Sequence, residues 1–186
     1  MSFNNYLETK YVKTASYIIT VSEYIKQHIK LVVHHNNFAI IPNGFDDSII
    51  NNFNVEQDMS DTLLIGHGGS ILEWHPIKEF LKEISRIITK NSISIRLNFY
   101  GLNKKDELEK FITITLPTLK PCVRFIDKLP NDELLKQLPK NNLLLLFNYY
   151  AHMGTKIYDY VGIKRKILFC YENDAEANHL KKEKYN

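Results

Sequence analysis

Two short segments of this chain carry the residue types that hold a phosphate. In the first, Gly68-Gly69-Ser70 follows an apolar run. Two glycines between a strand and a helix let the backbone approach an anion closely, although a plain tight turn uses the same residues. The segment is neither G-x-G-x-x-G nor a P-loop, since no Gly-Lys-Ser/Thr follows. In the second, Gly154-Thr155-Lys156 opens a helical pattern, so its amides and the Lys156 ammonium together form an anion site. Asp159 lies one turn further on. Its carboxylate either complements the helix dipole or accepts hydrogen bonds from a ribose diol.

The other reactive residue types point to less. None of the seven histidines has the His-x-x-x-His spacing of a helical metal site. His34-His35 reads as the solvated end of a surface helix. His67, His75 and His152 fall where loops face the expected cleft, as binding or structural residues more than as a general base. Trp74 either covers an apolar group in that cleft or packs at a helix start. No nucleophile elbow or local Cys/His pair is present. The two cysteines, Cys122 and Cys170, sit in apolar runs and read as buried hydrophobes in a reducing compartment.

The elements that position these residues follow from apolar periodicity. Strands are predicted over residues 17–21, 38–41, 62–67, 93–100, 122–126, 143–147 and 167–171. Helices are predicted over 22–33, 76–88, 104–114, 130–138, 154–161 and 174–184, with Ser22 as an N-cap. Residues 143–147 are wholly apolar, as a central parallel strand buried on both faces requires. Residues 46–60, rich in Asp, Asn and Ser, read as a linker. This alternation predicts βαβ units: an α/β, doubly wound parallel sheet with ligands at the carboxyl ends of the strands.

Composition sets the outer bounds. With 186 residues, 44% hydrophobic and a net charge of +3, the chain suits one well-buried domain and is not a disordered one. No apolar run approaches the roughly 20 residues of a membrane helix, and the N-terminus lacks a secretory pattern. A cytoplasmic chain is therefore expected. Twenty of the 24 cations are lysines and they are scattered, against the basic stripe of a nucleic-acid binder. The one cluster, Lys181, Lys182 and Lys184, reads as a solvated helix face.

Several segments in order resemble the GT-B glycosyltransferases, and more narrowly their large retaining family 4 group. Ala15-Ser-Tyr-Ile-Ile-Thr-Val-Ser-Glu-Tyr-Ile and Ile40-Ile-Pro-Asn-Gly-Phe-Asp resemble the junction between acceptor and donor domains. Gly66-His-Gly-Gly-Ser-Ile and Leu97-Asn-Phe-Tyr-Gly resemble the first donor-domain strands. Val123-Arg-Phe-Ile-Asp resembles the base-binding region, and Gly154-Thr-Lys-Ile-Tyr-Asp-Tyr-Val the ribose-binding segment. The likeness spans residues 15–172.

The resemblance implies a Rossmann-like GT-B C-terminal domain over residues 61–186, incomplete at its C-terminus, a linker over 47–60, and a remnant of the acceptor domain over 1–46. It implies a nucleoside diphosphate sugar donor, a saccharide or lipid-linked acceptor, peripheral membrane contact in the intact enzyme, and no metal or further cofactor. Asp159 matches the ribose-binding acid, Gly154 and Thr155 the diphosphate-binding amides, and Gly69 and Ser70 the phosphate-facing loop. Ile126 and Asp127 match the strand end against which the base packs. Many family members carry Arg after the loop glycine and Lys five residues later, where this chain has Ser70 and His75, so Lys156 is expected to supply the charge. The first of the family's two spaced acids falls near Ala151, which leaves the catalytic group unassigned. The implied product is a donor-binding portion that binds nucleotide without turnover on its own. The rivals are a non-catalytic nucleotide or sugar-phosphate module that regulates a partner, and a structural remnant.

Overall fold

The structure, a computed structural model, describes residues 3–46, 61–147 and 154–171. The chain divides into two compact units, Met1–Gly44 and Phe45–Asn186. In the first, helix α1 (Phe3–Val12) precedes β1 (Ile18–Thr20), α2 (Glu23–Val32) and β2 (Phe38–Ile40), and β1 and β2 pair in parallel. Ser22 caps α2 as predicted, its hydroxyl accepting the Ile25 N–H at 3.2 Å. The His34-His35 expectation is corrected, because α2 ends before both residues. His35 Nε2 donates to the Ala15 carbonyl at 2.7 Å and Nδ1 accepts the Asn37 N–H at 3.1 Å, so this ring ties two loops together. Helix α1 was not predicted from sequence.

The second unit holds a five-stranded parallel sheet in the order β5-β4-β3-β6-β7. The strands are β3 (Thr62–Gly68), β4 (Ser94–Tyr100), β5 (Val123–Ile126), β6 (Leu143–Phe147) and β7 (Lys166–Cys170). Between them run α3 (Ile77–Asn91), α4 (Lys105–Thr115), α5 (Asn131–Gln137) and α6 (Lys156–Ile163). A 3₁₀ turn, Pro117–Cys122, stands before β5, so Cys122 lies outside the strand predicted for it. The middle strand is β3 and not β6, which is interior but one place from the edge.

Two apolar layers make the sheet doubly wound. Phe80, Leu81 and Ile84 of α3 and Leu108 and Ile112 of α4 pack with Ile65, Leu97, Phe99, Leu145 and Phe147 on one face. Leu135, Ile157, Tyr160 and Ile163 of α5 and α6 pack with Tyr100, Leu144 and Leu146 on the other. Alternate residues of β6 thus feed opposite layers, which is why its run is apolar throughout. Right-handed crossovers reverse faces when strand order reverses direction, so the change occurs between β3 and β6.

The two seams of β3 are built differently. Toward β4 the register runs through seven residue pairs, Thr62↔Ser94 to Gly68↔Tyr100. Toward β6 only Ile65↔Leu143 and Gly66↔Leu144 pair. Side chains finish this second seam. Asn142 Oδ1 accepts the Leu64 N–H at 2.7 Å on one side of the short ladder. On the other, His67 Nδ1–H donates to the Leu145 carbonyl at 2.9 Å and the Gly68 N–H donates to the Tyr160 hydroxyl at 3.0 Å. Backbone groups that a longer ladder would satisfy are therefore met from the side, and the strand ends separate.

Candidate functional site

Where β3 and β6 separate, the two phosphate-type segments meet. Gly69 follows β3 with φ +91°, a left-handed conformation suited to glycine, and its N–H donates to the Tyr100 carbonyl at 2.7 Å. A Cβ on Gly69 would stand 3.0 Å from Lys156 Cε and 3.1 Å from its Nζ. Glycine is thus required here twice, by conformation and by the lysine lying across it. Lys156 Nζ donates to the Ser70 carbonyl at 3.2 Å, and among the described residues no carboxylate pairs with it. Burial holds the ammonium below its usual pKa, because desolvation disfavours the charged form.

The loop beyond Ser70 is fixed by a residue that sequence reasoning missed. Asn103 Oδ1 accepts the Ile71 N–H at 2.8 Å and its Nδ2 donates to the Ile71 carbonyl at 3.1 Å. Its only sequence signal is a position just after Gly101, at the end of β4. From the Asn103 clamp the loop passes through Leu72, Trp74 and His75 to α3. His75 Nδ1 accepts the Leu72 N–H at 3.1 Å, and its ring stacks on Phe147 with centroids 5.1 Å apart at 22°. Burial first, then the Lys156 and Lys104 ammoniums, push its pKa down to about 4, so His75 adds no charge near neutral pH. Trp74 lies edge-on to His75, centroids 4.2 Å apart at 83°.

The resulting cavity of about 310 Å³ is lined, among the described residues, by this loop, the end of β6 and the start of α6. Ser70, Gly154, Thr155 and Lys156 face it. The helix begins two residues later than predicted, with Thr155 at the N-cap and no side-chain cap bond. Its first amides therefore stand beside the Lys156 ammonium. Asp159 does not line the cavity. It is half-buried one turn further along α6, and burial alone raises its pKa. Ile126 and Asp127 close β5, two strand spacings or about 10 Å from β3. The Ile126 carbonyl already accepts the Gly101 N–H at 2.9 Å. The Asp127 carboxylate is exposed and lies 3.6 Å from Lys105 Nζ.

His67 corrects an expectation. It lies on β3, 1% exposed, and not on a cleft loop. Its Nε2 is a fully buried atom without a hydrogen-bond partner among the described residues, and burial, then Lys156, push its pKa down to about 3. A neutral ring with Nδ1–H toward Leu145 satisfies both facts. His152 and Ala151, the linker over 47–60, the helix predicted over 174–184 and its lysine cluster all lie outside the described residues. Among the described residues no group of three His, Cys, Asp or Glu is placed to hold a metal. No helix among them is long and apolar enough to cross a membrane.

Comparison with solved structures places the same architecture in glycosyltransferases. A variant of S. aureus TarM, solved in complex with Fondaparinux, alpha-GlcNAc-glycerol and UDP, matches with a TM-score of 0.67 at 16% identity. The match covers 89% of this chain and 32% of that one. Sucrose-phosphate synthase from Thermosynechococcus elongatus matches with a TM-score of 0.68 at 14% identity, over 89% of this chain and 43% of that one. The pneumococcal O-GlcNAc transferase GtfA, in complex with UDP and GlcNAc, matches with a TM-score of 0.64 at 10% identity, over 90% and 32%. No protein-family model matches the chain, and no curated protein matches it by sequence. The chain therefore shares its fold with part of the GT-B glycosyltransferases, while spanning less than half the length of these three.

Proposed function

We propose that this chain is the donor-binding portion of a cytoplasmic glycosyltransferase that takes a nucleoside diphosphate sugar. The observation that carries the reading is the meeting of the Gly69 turn, the Lys156 ammonium and the start of α6 where β3 and β6 separate. A diphosphate there accepts hydrogen bonds from the helix amides and gives Lys156 a counter-charge that no carboxylate among the described residues supplies. Asp159, one turn along, then receives the ribose hydroxyls, and the base lies toward Ile126 and Asp127 at the end of β5. TarM and GtfA were both solved with UDP, which makes UDP the first nucleotide to try.

The intact enzyme, on this reading, moves a hexose to a glycan, lipid-linked or small acceptor with retention and without a metal, as in polysaccharide synthesis, with peripheral contact to the membrane. Donor binding without turnover is expected from these 186 residues alone, because transfer needs an acceptor held against the donor. One observation favours a second reading, a non-catalytic nucleotide or sugar-phosphate module. With His75 neutral, Lys156 is the single cation among the described residues lining the cavity.

A thermal melt with and without UDP, GDP, ADP and CMP tests the proposal. At 100 times its dissociation constant a ligand adds about 2.7 kcal/mol. A shift with one nucleotide, lost in Asp159→Ala, is the expected result. No shift with any of them, from a chain that melts cooperatively, overturns the donor reading.

A further inference from the structure

We propose that the notch at the amino ends of β3, β6 and β7 binds a phosphate monoester, as a second anion site apart from the crevice where β3 and β6 separate. The inference stands independently of the donor reading.

The short β6 ladder leaves an opening at its start as well as at its end. Ile65 pairs with Leu143, the first residue of β6, so Thr62 and Leu63 pair with β4 on one side and with no residue of β6 on the other. β7 begins level with Leu143, at Lys166. The notch holds a cavity of about 490 Å³. Leu63 and Leu143, both half-buried, supply its apolar part. With them stand the consecutive cations Lys164, Arg165 and Lys166, against one lining carboxylate among the described residues, Asp61.

Side-chain bonds and backbone conformation give this charge a direction. Arg165 Nε donates to the Pro139 carbonyl at 2.8 Å, which holds its guanidinium at the cavity wall. Asn142 Oδ1 accepts the Leu64 N–H at 2.7 Å, which fixes its amide so that Nδ2 is the group left to donate. Lys164 closes α6 with φ +59°, a left-handed conformation that glycine adopts with less strain, so the cation is kept there against a backbone preference. Near the carboxyl ends of the strands, Lys78, Lys104 and Lys105 each pair with a carboxylate. The exposed Lys164 and Lys166 pair with none among the described residues. The dipole of α6 accounts for a cation at Lys164 but not for Lys166, which lies inside β7. Two ammoniums, a guanidinium and an amide offer more donors than the oxygens of a carboxylate accept, whereas a phosphate monoester presents three oxygens and a double charge. Its carbon chain then lies on Leu63 and Leu143. A soluble phosphate ester and a lipid headgroup both offer that group.

Amide shifts in the nuclear magnetic resonance spectrum of the full chain read this notch separately from the Lys156 side of the sheet. The chain is titrated with glycerol 3-phosphate and with acetate at fixed ionic strength. Glycerol 3-phosphate should move the amides of Leu63, Asn142 and Lys166 to saturation, with acetate about tenfold weaker. Lys164→Gly combined with Lys166→Ser should weaken binding at these amides about tenfold and leave any shifts at Gly69 and Thr155 as they were. Because glycine suits the left-handed position, the melt of that variant should change little, so weaker binding is not a loss of fold. Lys90→Ser combined with Lys110→Ser removes the same charge from other exposed positions and should leave the affinity unchanged. Absent shifts at the notch, acetate binding as tightly as the ester, or an equal loss in the Lys90 and Lys110 variant overturns the inference. Sedimentation with phosphatidylcholine vesicles containing phosphatidic acid, lost in the Lys164 and Lys166 variant, identifies the source as a headgroup. The same amide shifts without sedimentation identify a soluble ester.

Discussion

The middle strand of the sheet faces a complete ladder on one side and a nearly absent one on the other. Along β4, seven residue pairs hold β3 through a continuous backbone ladder, with one exposed side-chain bond between the Thr62 and Ser94 hydroxyls, 2.9 Å apart, at its start. Along β6, two pairs and one further backbone bond, from the Asn142 N–H to the Leu64 carbonyl at 2.9 Å, do so, and the side chains of Asn142, His67 and Tyr160 add three more. Backbone ladders are indifferent to side-chain identity, whereas a seam closed by side chains depends on each of them. Past the last pair, where the carboxyl ends separate, His67 and Tyr160 meet the Leu145 carbonyl and the Gly68 N–H. The crevice that receives Lys156 and Gly69 is therefore a built feature of the sheet, and its cost is sensitivity to single substitutions.

Acid should expose that sensitivity most. The folded pKa of His67 is about 3, below the ordinary 6.5, so between these values the unfolded chain holds a proton that the folded chain refuses. The contribution is complete above pH 6.5. It falls by about 1.4 kcal/mol per pH unit toward pH 3 and is gone below that. His75 acts with the same sign down to about pH 4, less strongly because it is half exposed. Urea midpoints at pH 7 and pH 4.5 measure the drop. His67→Asn keeps a donor for the Leu145 carbonyl, removes the titrating ring and should shallow the slope; an unchanged slope would place the acid sensitivity elsewhere.

Gly66→Ala should come next. A Cβ there would lie 2.6 Å from Cγ of the buried Asn141, whose Nδ2 donates to Leu138 and whose Oδ1 accepts from Asn98. Moving that side chain costs about 1–3 kcal/mol, seen as a lower denaturation midpoint at unchanged slope. Tyr160→Phe removes one hydroxyl and leaves the buried Gly68 N–H without its partner, a loss of about 1–3 kcal/mol with little change in volume. A hydroxyl deletion of no consequence would show that the β6 seam is not held from the side.

Much of this was legible in the sequence. Every described strand lies within a residue or two of its predicted bounds, because β-branched runs bounded by Gly, Pro and Asn report strands directly. Helices α3 and α4 followed from apolar spacing. Helix α1 did not, since its aromatic and polar residues keep no helical period. The turn over Pro117–Cys122 was hidden by two prolines that suggest a loop. At the site, residue types were readable and distances were not. The resemblance puts Lys156 in place of the charge missing after Gly69, 87 positions away, but gives no distance between them. His67 was misread for a physical reason: a histidine beside Gly68-Gly69 has the composition of a loop, and only the Leu145 carbonyl makes it tolerable inside a strand.

The short β6 ladder also bears on how the sheet comes apart. Native-state hydrogen exchange reads local and sub-global openings as cooperative blocks. With seven pairs on one side of β3 and two on the other, the lowest opening of the sheet is expected to part β5-β4-β3 from β6-β7 as two blocks. The amides of Leu64 and Gly68, bonded across to Asn142 and Tyr160, would exchange through that opening, while those of β4 wait for global unfolding. A ligand bridging Gly69 and Lys156 spans the parting line, so occupancy should slow exchange in both blocks at once.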